Sequence, residues 1–163
     1  LASHINLAIS IFPKKTTGKQ LDAISRHNLW KNKIDYGHGT GHGVGHILNV
    51  HENPVSISKN SDNHIDEGNI ISNEPGHYKT NNFGIRHENL FEVKKVNKDW
   101  LRFETLTLFP FDLNLIKKSI LSKKQINWLN SYHEKVYKTL SPHLSKQLQL
   151  FLKKKCQKIK LLY

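Results

Sequence analysis

Glycine occupies every second position from Gly37 to Gly45, in the run Gly37-His38-Gly39-Thr40-Gly41-His42-Gly43-Val44-Gly45. Glycine at that density excludes a stable helix, because each glycine loses the most backbone freedom on ordering. The run therefore predicts an extended segment whose backbone is approached closely by something else. His38 and His42 are four residues apart, and even spacing in an extended segment puts two side chains on one face. Both imidazoles could enter one pocket, although a flexible loop explains the same run equally well. His51 follows nine residues after His42.

Around this segment the pattern changes twice. Residues 1–12 carry Ile5, Ala8, Ile9 and Phe12, which suits the end of a buried helix stopped by Pro13. Leu21, Ile24 and Leu29 mark a short amphipathic helix ending near Trp30. After a polar loop around residues 59–64, residues 68–74 read as a strand stopped by Pro75-Gly76. Phe83 to Phe91 reads as a second strand and Leu101 to Phe109 as a third. From Asp112 the period becomes helical. Ser122 and Gln125 form a capping-box signal before Ile126, Leu129, His133, Val136 and Leu140, and a last helix is expected from about Leu144 towards the end. Strands first and helices last predict an α+β domain.

Composition limits the partners. The 163 residues suffice for one domain with a core, and with no Met anywhere and Leu1 first, the chain is expected to be a piece of a longer protein. A formal charge of +12 raises the question of nucleic acid. Only Arg26, Arg86 and Arg102 of the 25 cationic side chains are Arg, and base or phosphate readout favours Arg forks. A solvated Lys-rich surface is the better reading, and no nucleic-acid partner is expected. Cys156 is the only cysteine, so no disulfide framework exists within one chain and a reducing compartment, by default the cytoplasm, is expected. No apolar run is long enough to span a bilayer, so no membrane partner is expected.

Individually, the residues with chemical potential have bland explanations. Glu74 sits at a strand end before Pro75-Gly76, where an acid either projects beyond the sheet or is merely solvated. Arg86 and Glu88 are two apart, so a continuous strand puts them on one face, as a site or as an exposed ion pair worth little. His87-Glu88 lacks the second His of a helical zinc-protease motif. As a set, imidazoles and carboxylates on extended segments suit Mn²⁺, Co²⁺ or Zn²⁺, and carboxylates can bridge two metals. A metal pair of that kind serves amide hydrolysis.

Three motifs in order carry a resemblance. Asp35-Tyr-Gly-His-Gly-Thr-Gly-His-Gly-Val-Gly45 with Asn49-Val-His-Glu-Asn-Pro54, then Asn73-Glu-Pro-Gly-His-Tyr78, then Phe83-Gly-Ile-Arg-His-Glu-Asn89 resemble the signatures of Xaa-Pro aminopeptidases (aminopeptidase P). These belong to the wider pita-bread metallopeptidases, family M24. Phe12-Pro13 with Gly18, Leu21-Asp-Ala-Ile-Ser-Arg26, Phe103-Glu-Thr-Leu-Thr-Leu-Phe-Pro110 and Trp128-Leu-Asn-Ser-Tyr-His133 extend the match over nearly the whole chain and point to the long cytosolic branch.

The resemblance implies the carboxy-terminal half of a pita-bread fold over residues 1–110, followed by a helical extension over 111–163. It implies an aminopeptidase acting on peptides with proline second, with two Mn²⁺ ions in a complete site. His42 and Glu74 would hold one metal and Glu88 would bridge both. Glu74 would also manage the proton of the nucleophile, while His38 and His51 would hold substrate and stabilise the tetrahedral intermediate. Arg86 and Tyr78 would orient the ligands. Two aspartate ligands of the family have no counterpart here, so the chain alone is expected to be inactive. His77 and His87 stand where the family more often has aromatic or aliphatic residues. A prolidase-type dipeptidase and a non-catalytic pita-bread binding module remain the alternatives, and a homodimeric parent is left open.

Overall fold

The computed structural model describes residues 1–47 and 49–160. Its residues group into two units, Leu1–Thr107 and Leu108–Tyr163. The first is an antiparallel sheet with two helices; the second is helical. Among the described residues, no helix is long and apolar enough to cross a membrane.

In the first unit, α1 (Ala2–Ala8) is followed by β1 (Ile11–Pro13), so the helix stops before the proline. This corrects the expectation that the opening helix runs to Pro13. Pro13 instead ends a short edge strand, where a residue without an N–H is tolerated. Next comes α2 (Gly18–Trp30), started by a capping box between Thr17 and Gln20. The glycine-rich run contributes only β2 (Gly41–Gly43), and β3 (Glu52–Ile57), not anticipated from the sequence, follows. After the polar loop come β4 (Ile70–Asn73), β5 (Gly76–Lys79), β6 (Phe83–Arg86), β7 (Asn89–Lys95) and β8 (Trp100–Thr105). Six strands form one sheet in the order β1-β8-β7-β4-β2-β3, and β5 with β6 makes a separate hairpin. All pairings are antiparallel.

The expected strand from Phe83 to Phe91 is thus two strands in two sheets. β6 pairs with β5, β7 pairs with β4 and β8, and His87 and Glu88 lie at the switch. The two helices pack on each other, with α1 also against β4 and β8 and α2 against β3. Ile5, Leu7, Leu21, Ile57, Ile71, Phe91, Val93 and Leu101 are fully or almost fully buried in this core. Burying each such side chain contributes about 1.5–3 kcal/mol.

In the second unit, α3 (Lys123–Leu140) starts with the Ser122–Gln125 capping box read from the sequence. It buries Ile126, Leu129, Tyr132, His133 and Val136 along one face. Pro142 falls in a single 3₁₀ turn, and α4 (Lys146–Lys155) follows. The expected extension of that last helix to residues 161–163 lies outside the described residues. The α+β class is as expected.

Candidate active site

The close approach predicted at the glycine-rich run occurs at Gly41. A Cβ there would sit 1.9 Å from the Ser72 carbonyl oxygen, so β2 can lie against β4 only with glycine at this position. His42 leaves the strand next to it. Its backbone N–H donates to Ser72 Oγ at 3.0 Å, and Ser72 Oγ donates to Glu74 Oε1 at 2.9 Å. The Glu74 N–H donates to the Thr40 carbonyl at 2.7 Å, fixing the acid against the glycine-rich run from its other side. Glu74 is 8% exposed, so it is not the solvated turn acid that its position before Pro75-Gly76 also allowed.

His42 faces Glu74 directly, with Nε2 3.0 Å from Oε1. His42 Nδ1 lies 3.0 Å from the Gly43 carbonyl, which accepts only if Nδ1 carries a proton. A neutral imidazole then presents its Nε2 lone pair to a carboxylate oxygen. Two acceptors at that distance require a proton or a cation between them. Two ligand atoms bound to one ion at about 2.1 Å, nearly at right angles, lie about 3 Å apart. The pair therefore suits a shared metal ion, with the Gly43 carbonyl fixing the tautomer as the partners of metal-binding histidines do. The His51 ring meets the His42 ring edge to face, with centroids 4.3 Å apart.

His38 joins the same group by a different route. The Gly39 carbonyl, 2.7 Å from Nδ1, sets the proton there, so Nε2 accepts from the Tyr78 hydroxyl at 2.8 Å. Tyr78 in turn accepts from Arg86 Nε at 2.9 Å, and Arg86 Nη1 reaches Glu74 Oε2 at 3.4 Å. The Tyr78 hydrogen bond foremost, with Glu74 and Glu88 nearby, holds the Arg86 guanidinium above its ordinary range. His38 and His42 are thus linked through Tyr78, Arg86 and Glu74, not by sharing one face of a strand.

Glu88 stands apart. Strand alternation cannot place it beside Arg86, because the chain changes sheets at His87–Glu88. Its position is set by register: Asn73 pairs with Asn89 at the end of β4 and β7, so Glu74 and Glu88 lie one residue beyond the same rung. Its side chain is exposed. Among the described residues, no three His, Cys, Asp or Glu side chains converge as a metal-holding group. The donor set fits one ion's partial shell at His42 and Glu74.

Two contributors were given no role from the sequence. Ser72 links His42 to Glu74, and nothing about a lone serine in a strand signals that. Arg26, 1% exposed, donates from Nε to Asp22 at 2.7 Å, from Nη1 to Asp35 at 2.6 Å and the Tyr36 carbonyl at 2.8 Å, and from Nη2 to the His38 carbonyl at 2.6 Å. Asp22 also accepts from Thr40 at 2.5 Å. Arg26 thereby ties α2 to both ends of the segment carrying His38. The i,i+4 spacing of Asp22 and Arg26 was the available signal.

Residues 1–95 match the model of metallopeptidase family M24, and residues 99–159 match the C-terminal region of peptidase M24. A protein of Arthroderma gypseum named probable Xaa-Pro aminopeptidase P is 44% identical over 156 residues, covering 90% of this chain and 25% of that protein. The crystal structure of an X-prolyl aminopeptidase from Caenorhabditis elegans, described as a cytosolic enzyme with a di-nuclear active site, superimposes with a TM-score of 0.91 at 39% identity, over 97% of this chain and 27% of that one. An Xaa-Pro dipeptidase from Bacillus anthracis gives a TM-score of 0.59 at 27% identity, over 68% of this chain and 29% of its own. The chain spans about a quarter of the length of these relatives. With the match covering more than half of its residues, the chain belongs to metallopeptidase family M24.

Proposed function

We propose that this chain is the carboxy-terminal part of a dinuclear-metal Xaa-Pro aminopeptidase that removes the first residue from peptides with proline second. The observation that carries this is His42 Nε2 at 3.0 Å from Glu74 Oε1, a spacing that two ligands of one ion would have. His42 Nε2 and Glu74 would hold one ion, and Glu88, beyond the same rung as Glu74, would bridge to a second. Carboxylate-rich nitrogen and oxygen donors suit Mn²⁺, with Co²⁺ or Zn²⁺ as substitutes. Bound there, the metal pair supplies a nucleophile at neutral pH and Lewis-acid polarisation of the scissile carbonyl.

The chain's own residues orient and exchange protons. Glu74 takes the proton of the nucleophile, and Ser72 and Arg86 hold its two oxygens in place. His51, packed on His42, and His38, on the Tyr78–Arg86 chain, face substrate. Tyr78 and Arg86 hold His38 and Glu74 in one connected arrangement. We read residues 1–110 as part of the catalytic domain and 111–163 as its helical extension, in a cytoplasmic protein.

The described residues supply one ion's partial shell, so the chain alone would not cleave peptides. The test compares this chain with a longer form carrying the upstream part, each with added Mn²⁺, on Xaa-Pro-Xaa peptides. Release of the first residue by the longer form only is expected. Cleavage by the chain alone overturns the account of an incomplete site, and none by either overturns the enzyme reading. A prolidase-type dipeptidase is the second reading, favoured by the likeness to the Bacillus anthracis enzyme. It predicts cleavage of Xaa-Pro dipeptides in preference to longer peptides.

A further inference from the structure

His4, in α1, is fully buried, yet it belongs to none of the contacts described above. Its Nδ1 lies 3.1 Å from the Asn73 carbonyl, and Asn73 Nδ2 donates back to the His4 carbonyl at 2.9 Å. Asn89 Nδ2 lies 3.3 Å from His4 Nε2. The ring packs on Phe91, with centroids 5.8 Å apart. Asn73 and Asn89 are the register pair that ends the β4–β7 ladder, and Glu74 and Glu88 are the next residues outward on each strand. One imidazole therefore joins the main chain at Asn73, immediately before Glu74, to the side chain of Asn89, immediately after Glu88.

We propose that His4 is a positioning residue: by tying Asn73 and Asn89 to one ring, it fixes the spacing of Glu74 and Glu88 and thereby the affinity for divalent cations, without touching either carboxylate. This rests on the metal-site reading above. The physical basis is that the ladder is interrupted where the acids depart: beyond the Asn73–Asn89 rung only the His87 N–H to Pro75 carbonyl bond, at 3.4 Å, joins the two segments before pairing resumes at Gly76 and Arg86. A buried neutral ring with one donor and one acceptor is a rigid spacer between two strands.

The test uses the full chain and its longer form with His4→Leu, which keeps apolar volume but removes the polar links, His4→Gln, which retains a donor and an acceptor, and Asn89→Leu, which frees the ring from the strand of Glu88. Mn²⁺ alone is titrated by electron paramagnetic resonance, and amide hydrogen exchange is followed at Glu74 and Glu88 without metal. His4→Leu and Asn89→Leu are expected to weaken Mn²⁺ binding about 10–100-fold, the range for partners that orient ligands. His4→Leu should speed exchange at both glutamates but not at Leu101–Phe103, and His4→Gln should recover much of both effects. Unchanged Mn²⁺ affinity in folded His4→Leu and Asn89→Leu overturns the proposal, as does a His4→Gln protein that is as stable as wild type yet binds as poorly as His4→Leu. If neither wild-type form takes up Mn²⁺, the metal reading fails. Exchange then decides the spacer: acceleration at both glutamates supports it, and acceleration at one or neither overturns it. If His4→Leu does not fold, Asn89→Leu and His4→Gln carry the same comparison.

Discussion

His42, in β2, and Glu74, just past the end of the neighbouring β4, meet at 3.0 Å, and Ser72 Oγ accepts from the His42 main-chain N–H and donates to the Glu74 carboxylate. The pair is therefore built by the β2–β4 pairing, in which Gly43 stands opposite Ile71, and not by either motif alone.

Ser72→Ala leaves the His42 N–H without its acceptor and removes a donor from Glu74. Both sit in a largely dehydrated region, and an unsatisfied buried polar group costs about 1–3 kcal/mol. Urea unfolding monitored by circular dichroism should show a loss of that size, with an unchanged denaturant slope.

Gly41→Ala forces a methyl group to within 1.9 Å of the Ser72 carbonyl, where backbone and not a flexible side chain must yield. The expected cost is about 1–3 kcal/mol or more, as for other overpacked sites. Gly37 has open space around its missing Cβ, so Gly37→Ala should change stability by no more than about 0.5 kcal/mol. A pair of thermal melts separates the two.

Arg26→Met removes the cation that faces Asp22 and Asp35 and frees the carbonyls of Tyr36 and His38. Breaking a buried pair by deleting one partner costs about 3–5 kcal/mol. Arg26→Lys should recover only a part, because one ammonium cannot reach partners spread around a planar fork. Chemical denaturation of the two variants checks both statements.

Burial foremost, with the neighbouring His87 adding to it, pushes His4 from 6.5 down to about 3. Its folded pKa is depressed, so the unfolded chain binds the proton more readily between those values. The stability tied to neutral His4 is complete above about pH 6.5 and is lost as pH falls towards 3. Unfolding free energies measured across that window should decline in wild type and flatten in His4→Gln.

The sequence by itself determined the local grammar of the protein. Glycine at alternate positions ruled out a helix at 37–45, Ser122 with Gln125 started α3, and the order of the three motifs carried the resemblance to the family the chain belongs to. These signals are local because propensity, capping and close-approach glycine act over a few residues. The tertiary structure decided what faces what. The run from Phe83 to Phe91 alternates like one strand, but its first half bonds to β5 and its second to β4 and β8. Period-two alternation reports which face is buried and says nothing about which partner supplies the hydrogen bonds. The same holds for Ser72, Arg26 and His4, ordinary residues in sequence whose contacts lie as far as 85 positions away. Of the trio His42, Glu74 and Glu88, residue type was written locally; that His42 and Glu74 meet while Glu88 departs from the adjacent strand follows from register, which only long-range pairing sets.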